Sequence, residues 1–343
     1  MIEPKFVDRV WETEALRDWC SAQRATPLYI YGPEGCGKTR LLREFVIKFS
    51  EYFNDSAIAI YVNAMERCSI DNAILTSRTI GLPREDIEGI FNKFPYSNVG
   101  RVLADTIGLL LEKIAVKKKI VGNYVLVIVD NFVRAVGLEQ VEMYVKWICE
   151  LMWKLREKYR PRAVNFIVTT SESESLRLVA RHRYAQPVMI WNLDKDSFEE
   201  LFHILNPPSS IKFEDVWHML GGNPGKLIEL AMNYSWNIST MFRTYMHKLE
   251  NVLRQIVRER LLNELLLVLE DPDNIAYVLS REMERLEEIL TRHNLIMSVG
   301  LLLGFREVDP CPDIGLGKHY AWQIPLYREV LYRLTQGKYT TRK

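Results

Sequence analysis

The chain has 343 residues, 48% apolar and 26% charged, and its 45 Lys and Arg against 44 Asp and Glu leave a net charge of +1. Such a balance describes a globular protein of two or three domains and excludes a whole-molecule field that would draw in nucleic acid or anionic lipid. Five scattered cysteines (Cys20, Cys36, Cys68, Cys149, Cys311) without a C-x-x-C pair exclude zinc and a secreted disulfide framework, and without an apolar signal core or spanning run the expected location is cytoplasmic, with no membrane.

A helix is expected over 12–22, then a strand at 28–31 (LYIY). The next eight residues, Gly32, Pro33, Glu34, Gly35, Cys36, Gly37, Lys38 and Thr39, fit G-x-x-x-x-G-K-[ST] without a mismatch. Arg40 continues into an amphipathic helix to about 53, completing the strand, loop, helix order that a phosphate-binding loop needs. Glycines allow the backbone to aim several N–H groups inward at phosphate oxygens, and the following helix adds its positive end. Lys38 is expected at the β- and γ-phosphates of ATP, and the Thr39 hydroxyl on Mg²⁺. Cys36 reads as a small filler, although a thiol at a helix N-terminus is also open to oxidation.

A second strand is expected at 57–63, ending in Asn63, which is a further polar group for the same rim. Helices are expected over 70–80 and 99–116, with a Pro- and Gly-containing loop at 81–98, and Lys117, Lys118 and Lys119 capping a helix end. The continuous apolar run 124–130 (YVLVIVD) predicts a buried parallel strand, and Asp130 at its end suits Mg²⁺ binding through water, the Walker B role. Asn131 follows, where many ATPases of this class carry Glu. An amide orients water but accepts no proton, so hydrolysis is expected to be slow, or a base comes from Glu34, Glu66 or a partner subunit.

A helix over 138–158 leads to a strand at 163–170. Its terminal hydroxyl, Thr170 or its neighbour Thr169, is placed to contact the γ-phosphate or the attacking water. A fifth strand is expected at 187–191. Strands alternating with helices imply a parallel sheet covered on both faces, with the chemistry at the carboxyl ends of the strands.

From 194 the pattern becomes helical, with segments at 197–205, 211–220 and 225–236 separated by Gly221-Gly222-Asn223-Pro224. Beyond 250, helices at 252–269 and 275–293, β-like runs at 295–307 and 319–324 and a last helix at 325–334 describe a winged helix. The expected fold is therefore α/β: a parallel-sheet P-loop NTPase core (1–193), a small helical lid (194–249) and a C-terminal winged-helix domain (250–343). The candidate recognition helix sets Arg281, Arg285 and Arg292 against Glu282, Glu284, Glu287 and Glu288, and residues 250–343 hold 13 basic against 14 acidic groups. DNA-binding modules show a basic face, so a regulatory or protein-contact role is favoured and DNA remains an open partner.

These residues together resemble the archaeal ATPases of the STAND group, relatives of AAA+ proteins. Phe6-Val7-Asp8-Arg9 with Glu12, Glu14 and Leu16 is similar to the family's F-x-x-R-E-x-E-L opening, although Val10 and Trp11 replace its acidic start. Gly221-Gly222-Asn223-Pro224 with Leu227 is similar to the G-G-x-P motif of the lid. The resemblance implies that Pro224 and the segment around Arg9 form an adenine pocket. It implies ATP or ADP with Mg²⁺ as ligands, a switch in which nucleotide state orients the lid and winged helix, and a protein partner or self-association. The chain departs from the family at Asn131, in a long stretch between the second and third strands, and in lacking an Arg directly after the fourth strand. Arg181 and Arg183 follow further on, as surface residues or as charge-neutralising ones. A second resemblance, to archaeal origin-recognition ATPases, rests on Tyr61-Val62-Asn63-Ala64 and the same three-part order. It implies the alternative of an ATP-controlled DNA-binding protein in replication initiation or repair, although the lid Arg of those proteins is Pro224 here.

Overall fold

Apolar runs with no polar face build the centre of the molecule, because strands covered on both sides have no solvent-facing residues to alternate with. The computed structural model describes residues 6–54, 57–65, 74–77, 85, 107–110, 112–114, 120–170 and 173–339. The first part comprises α1 (Val10–Cys20), β1 (Leu28–Tyr31), α2 (Lys38–Ile47), α3 (Phe49–Tyr52), β2 (Ile58–Asn63) and β3 (Ile74–Thr76). It continues with β4 (Tyr124–Asp130), α4 (Phe132–Val136), α5 (Val141–Tyr159), β5 (Ala163–Thr169), α6 (Ser173–Ala180) and β6 (Gln186–Met189).

Among the described residues these strands form one sheet in the order β3-β2-β4-β5-β1-β6. Every pairing is parallel except that of β2 with β3. All seven residues of β4 are buried. Leu41 and Phe45 of α2 with Leu16 of α1 cover one face, and Ile148 and Met152 of α5 cover the other. Parallel pairing puts the loop after β1, Asp130 at the end of β4 and Thr169 at the end of β5 along one edge.

One expected helix is corrected. At 74–76, inside the segment read as helical over 70–80, the chain is a strand paired antiparallel with β2 (Val62 opposite Ile74). Three residues are too few to display a period, and edge pairing decides the conformation. The helix expected over 99–116 is helical at its described residues 107–110 and 112–114. The Lys117–Lys119 run, Cys68 and the 81–98 loop lie outside the described residues, apart from Glu85.

The rest of the chain is α7 (Lys195–Ile204), α8 (Phe213–Leu220), α9 (Pro224–Asn233), α10 (Ile238–Arg258), α11 (Leu262–Glu270), α12 (Asn274–Tyr277), α13 (Arg281–Arg292), β7 (Ile296–Ser298), β8 (Tyr320–Trp322) and α14 (Pro325–Tyr339). Side-chain caps start four of these helices: Asp194, Asn223, Asn237 and Ser280 each accept an N–H three residues on. The helix expected over 252–269 is instead the end of α10 and all of α11, parted at Arg260, whose φ of 62° breaks the helix without Gly or Pro. α10 runs unbroken through 249/250. One apolar core, including Phe198, Leu220, Tyr245, Ile256, Leu286 and Trp322, joins α7 through α14.

β7 and β8 pair antiparallel, with Ile296 opposite Trp322. The buried carboxylate of Asp273 fastens the return of this hairpin by accepting the N–H groups of Lys318 (2.7 Å), His319 (2.8 Å) and Tyr320 (2.8 Å). The β-like run expected over 295–307 divides after Ser298. Its continuation reaches the central sheet, where the Met189 N–H donates to Leu301 O and the Leu303 N–H to Met189 O, both at 2.8 Å. No helix of the described residues is long and apolar enough to cross a membrane.

Candidate functional site

β1 delivers the chain into the glycine-rich loop, and α2 begins at Lys38 with Gly37 at φ 101° as its cap. Gly35 also has positive φ, 85°, a region that costs an L side chain strain. Lys38 is buried, and its ammonium donates to Gly32 O (2.9 Å) and Pro33 O (3.0 Å). The Cys36 thiol is fully buried beside Ile190 O, which favours the filler reading over oxidation in this conformation.

Asp130 is buried and its carboxylate is surrounded by donors. Oδ2 accepts the hydroxyls of Thr39 and Tyr61, each at 2.6 Å, and Oδ1 accepts the Thr169 hydroxyl and the Asn131 N–H (3.0 Å). A buried carboxylate without such partners would be costly, and these fill its lone-pair directions. Burial, then the Asp130 charge, raises the Tyr61 phenol well above its ordinary range, which keeps it a donor. The Thr39 hydroxyl and Asp130 form an all-oxygen set of the kind Mg²⁺ takes. Direct ligation by Asp130 would displace one of its donors, so the geometry fits contact through water.

The hydroxyl that reaches Asp130 belongs to Thr169 and not to Thr170, the first choice from sequence. β5 ends one residue earlier than expected, and adjacent strand residues face opposite sides. Thr170 is buried and its N–H extends the β5–β1 pairing to Ile30 O at 3.0 Å. Asn131 sits at φ 55°, its N–H also donating to Thr169 Oγ1 (2.9 Å) and its Nδ2 to Asn63 Oδ1 (3.2 Å). Asn63 and Asn131 thus share the rim beside Asp130. Of the base candidates, Glu34 is exposed in the loop and Glu66 lies outside the described residues.

A cavity of about 240 Å³ opens beside the loop, walled by Val7, Leu193, Leu201, Pro224 and Ile228, with Arg9, Gly35, Cys36, Gly37 and Arg40 at its polar side. Arg9 is buried, bonded to Cys36 O (2.6 Å) and Trp191 O (2.9 Å), and paired with Glu12. Arg40 pairs with Glu44 at 3.1 Å. The structure therefore brings Arg9, the loop and Pro224 together around one mostly apolar space. Arg181 and Arg183 do not join them. They precede β6, whose Gln186 aligns with Leu28 at the amino end of β1, at the opposite edge of the sheet.

Sequence reasoning missed the polar contacts that clamp the loop from outside the core. Gly225 N–H donates to Gly35 O (3.0 Å), and a Cβ on Gly225 would stand 2.8 Å from Gly35 Cα. Asn223 Nδ2 donates to Glu34 O (3.0 Å) and to Asn192 Oδ1 (2.9 Å), while Asn192 Nδ2 donates to Gln323 O (3.1 Å). Gln323 Oε1, just past β8, accepts the Glu34 N–H at 3.0 Å. A lone amide in the apolar run YAWQIP was the available signal for Gln323.

The family described as an ATPase domain predominantly from Archaea matches residues 6–230. No curated protein is significantly similar in sequence. Among solved structures, one of the Aeropyrum pernix ORC2 protein, described as ADPNP–ADP complexes, is similar at a TM-score of 0.46 and 14% identity, covering 98% of this chain and 87% of that one.

Proposed function

Because the chain belongs to this family of archaeal ATPase domains, we propose that it is an ATP-dependent molecular switch of the STAND type, in which nucleotide state sets the orientation of the lid and the C-terminal winged helix. The observation that carries this reading is the triple clamp on residues 34–35: Gly225 and Asn223 from the start of α9, and Gln323 from the end of the C-terminal hairpin. The groups that would receive phosphate and the groups that hold the C-terminal half in place share two adjacent loop residues. Lys38 would exchange its contacts with Gly32 O and Pro33 O for anionic oxygens, which form stronger, charge-assisted bonds. Arg9 and Pro224 would hold the base, and Thr39 with Asp130 would hold Mg²⁺, which supplies charge neutralisation between the phosphates. Any difference in how the loop meets ADP and ATP then becomes a difference in how it meets Gln323, which is what a switch requires.

Asn131 supports slow hydrolysis, since neither it nor Asn63 accepts a proton. Turnover on the order of 10 per second by an isolated subunit would sink that part of the reading. Small-angle scattering with ADP and with a non-hydrolysable ATP analogue tests the switch. A changed radius of gyration is expected in the parent protein, with Gln323→Ala shifting the ADP-bound form towards the other. Identical profiles in every nucleotide state would overturn it.

The origin-recognition reading finds less support in the C-terminal half. Arg285 is bonded to Glu259 (2.6 Å) and Glu288 (2.8 Å), so its charge is compensated internally. The 301–303 segment of the hairpin connection lies against β6 and is not a free wing.

A further inference from the structure

The amino ends of the central strands carry a charge pattern that nucleotide chemistry does not use. Residues 154–162, from the end of α5 to the start of β5, hold Lys154, Arg156, Lys158, Arg160 and Arg162 against Glu157 alone, in a chain whose net charge is +1. All five cations are exposed. Lys158 pairs with Glu112 at 3.1 Å and the Arg162 guanidinium lies over the Tyr124 ring. Among the described residues, no carboxylate pairs with Lys154, Arg156, Arg160 or Arg162.

The same edge carries fixed aromatic rings. Trp153 is 44% exposed, and its Nε1 donates to Ala25 O at 3.0 Å, so the indole is held while one side stays open. It meets Tyr184 edge-on at 6.5 Å, and Arg183 lies over the Tyr184 ring at 4.9 Å. Tyr124 aligns with Ala163 and Leu28 with Gln186; the start of β1 is set four residues in from that of β5, Leu28 opposite Ile167, and Gln23 Oε1 accepts the Val164 N–H at 2.8 Å, so 121–123, 160–162, 22–27 and 181–185 lie at the same end of the sheet.

A bland account covers part of this. Cations in the last turn of α5 complement the helix dipole. The dipole does not explain Arg162 on the strand side, nor a partly exposed indole held against Tyr184. Lys154 and Lys158 are like charges at i,i+4 on the helix, which weakens it, and Arg160, at φ 45° just past its last turn, adds a further cation at that end. Cations beside solvent-facing aromatic rings are the pattern that holds a single strand: phosphates meet the cations and bases stack on the rings.

We propose that this edge of the sheet binds single-stranded nucleic acid, with phosphates along Arg156, Arg160 and Arg162 and a base on the open side of Trp153. The site lies at the opposite edge from the phosphate loop and does not rest on the switch reading.

Fluorescence anisotropy of the full chain with a labelled oligothymidine tests it. Binding is expected at low salt, with log K falling against log salt at a slope of about −2 for roughly three phosphate contacts. The triple variant Arg156→Gln/Arg160→Gln/Arg162→Gln should weaken binding at least ~tenfold and flatten that slope. Trp153→Ala should weaken it several-fold with the slope kept, and Arg160→Gln alone should give a smaller loss than the triple variant. ATP binding should stay at the parental level in each, which also confirms that the variant is folded. The proposal falls if the parent does not bind at low salt, or if a folded triple variant or the two single variants bind as the parent does. It falls equally if duplex DNA is preferred and lost in Arg281→Gln/Arg285→Gln. Polyglutamate competing as well as oligothymidine, with Trp153→Ala silent, would reassign the surface to an acidic protein.

Discussion

At the carboxyl ends of β4 and β5, the hydroxyls of Thr39, Tyr61 and Thr169 and the amide of Asn131 close on one carboxylate, Asp130. At the amino ends of the same two strands, Arg160 and Arg162 stand in solvent with no carboxylate beside them among the described residues. The difference follows from burial. A desolvated charge left unpaired is costly, so the carboxyl edge is satisfied group by group. An exposed charge is hydrated and costs little to leave open. The first edge should therefore answer to substitution in stability as well as in ligand binding, and the second in binding alone.

The largest expected break in this contrast is Lys38→Ala. ATP affinity measured by calorimetry should fall ~100-fold or more, about 2.7 kcal/mol. Unchanged affinity would mean that the nucleotide binds elsewhere and that the carboxyl edge is polar for other reasons. Next comes Gly225→Ala. Its new Cβ would press on Gly35 Cα at 2.8 Å and Gly35 O at 3.0 Å, forcing the start of α9 from the loop. Overpacking of this kind costs roughly 1–3 kcal/mol, so thermal unfolding should come earlier and nucleotide should bind more weakly; an unaltered melting curve would show that the two glycines do not need their close approach. The smallest effect is Tyr61→Phe, which removes one donor from Asp130 and should cost ~1 kcal/mol in denaturant unfolding. Arg160→Gln at the other edge should leave the same curve in place. Equal shifts from the two would erase the distinction.

Contiguous signals were legible in the sequence and distributed ones were not. The glycine-rich loop is eight adjacent residues between a strand and a helix, and Asp130 ends an apolar run that reads as a covered strand; both lie where their neighbours place them. Thr169 and Thr170 show the limit. A strand boundary misplaced by one residue exchanges the two faces, and no pattern in FIVTT marks the boundary. Tyr61 reads as core within IAIYVN, and only the alignment of β2 with β4 brings its hydroxyl to Asp130. Gln323 is 289 residues from Glu34, beyond any local rule. The turn at Arg260 was hidden because RERLL contains neither Gly nor Pro, and the continuous helical pattern concealed the end of α10.

Met189 belongs to the edge strand β6, and its amide and carbonyl are occupied by Leu301 and Leu303 from the C-terminal half. If that half swung outward, β6 would be left with bare backbone groups, and unshielded strands recruit others of their kind. Release of the hairpin would then uncover an adhesive rim, so that unfastening one molecule and gathering the next become a single event.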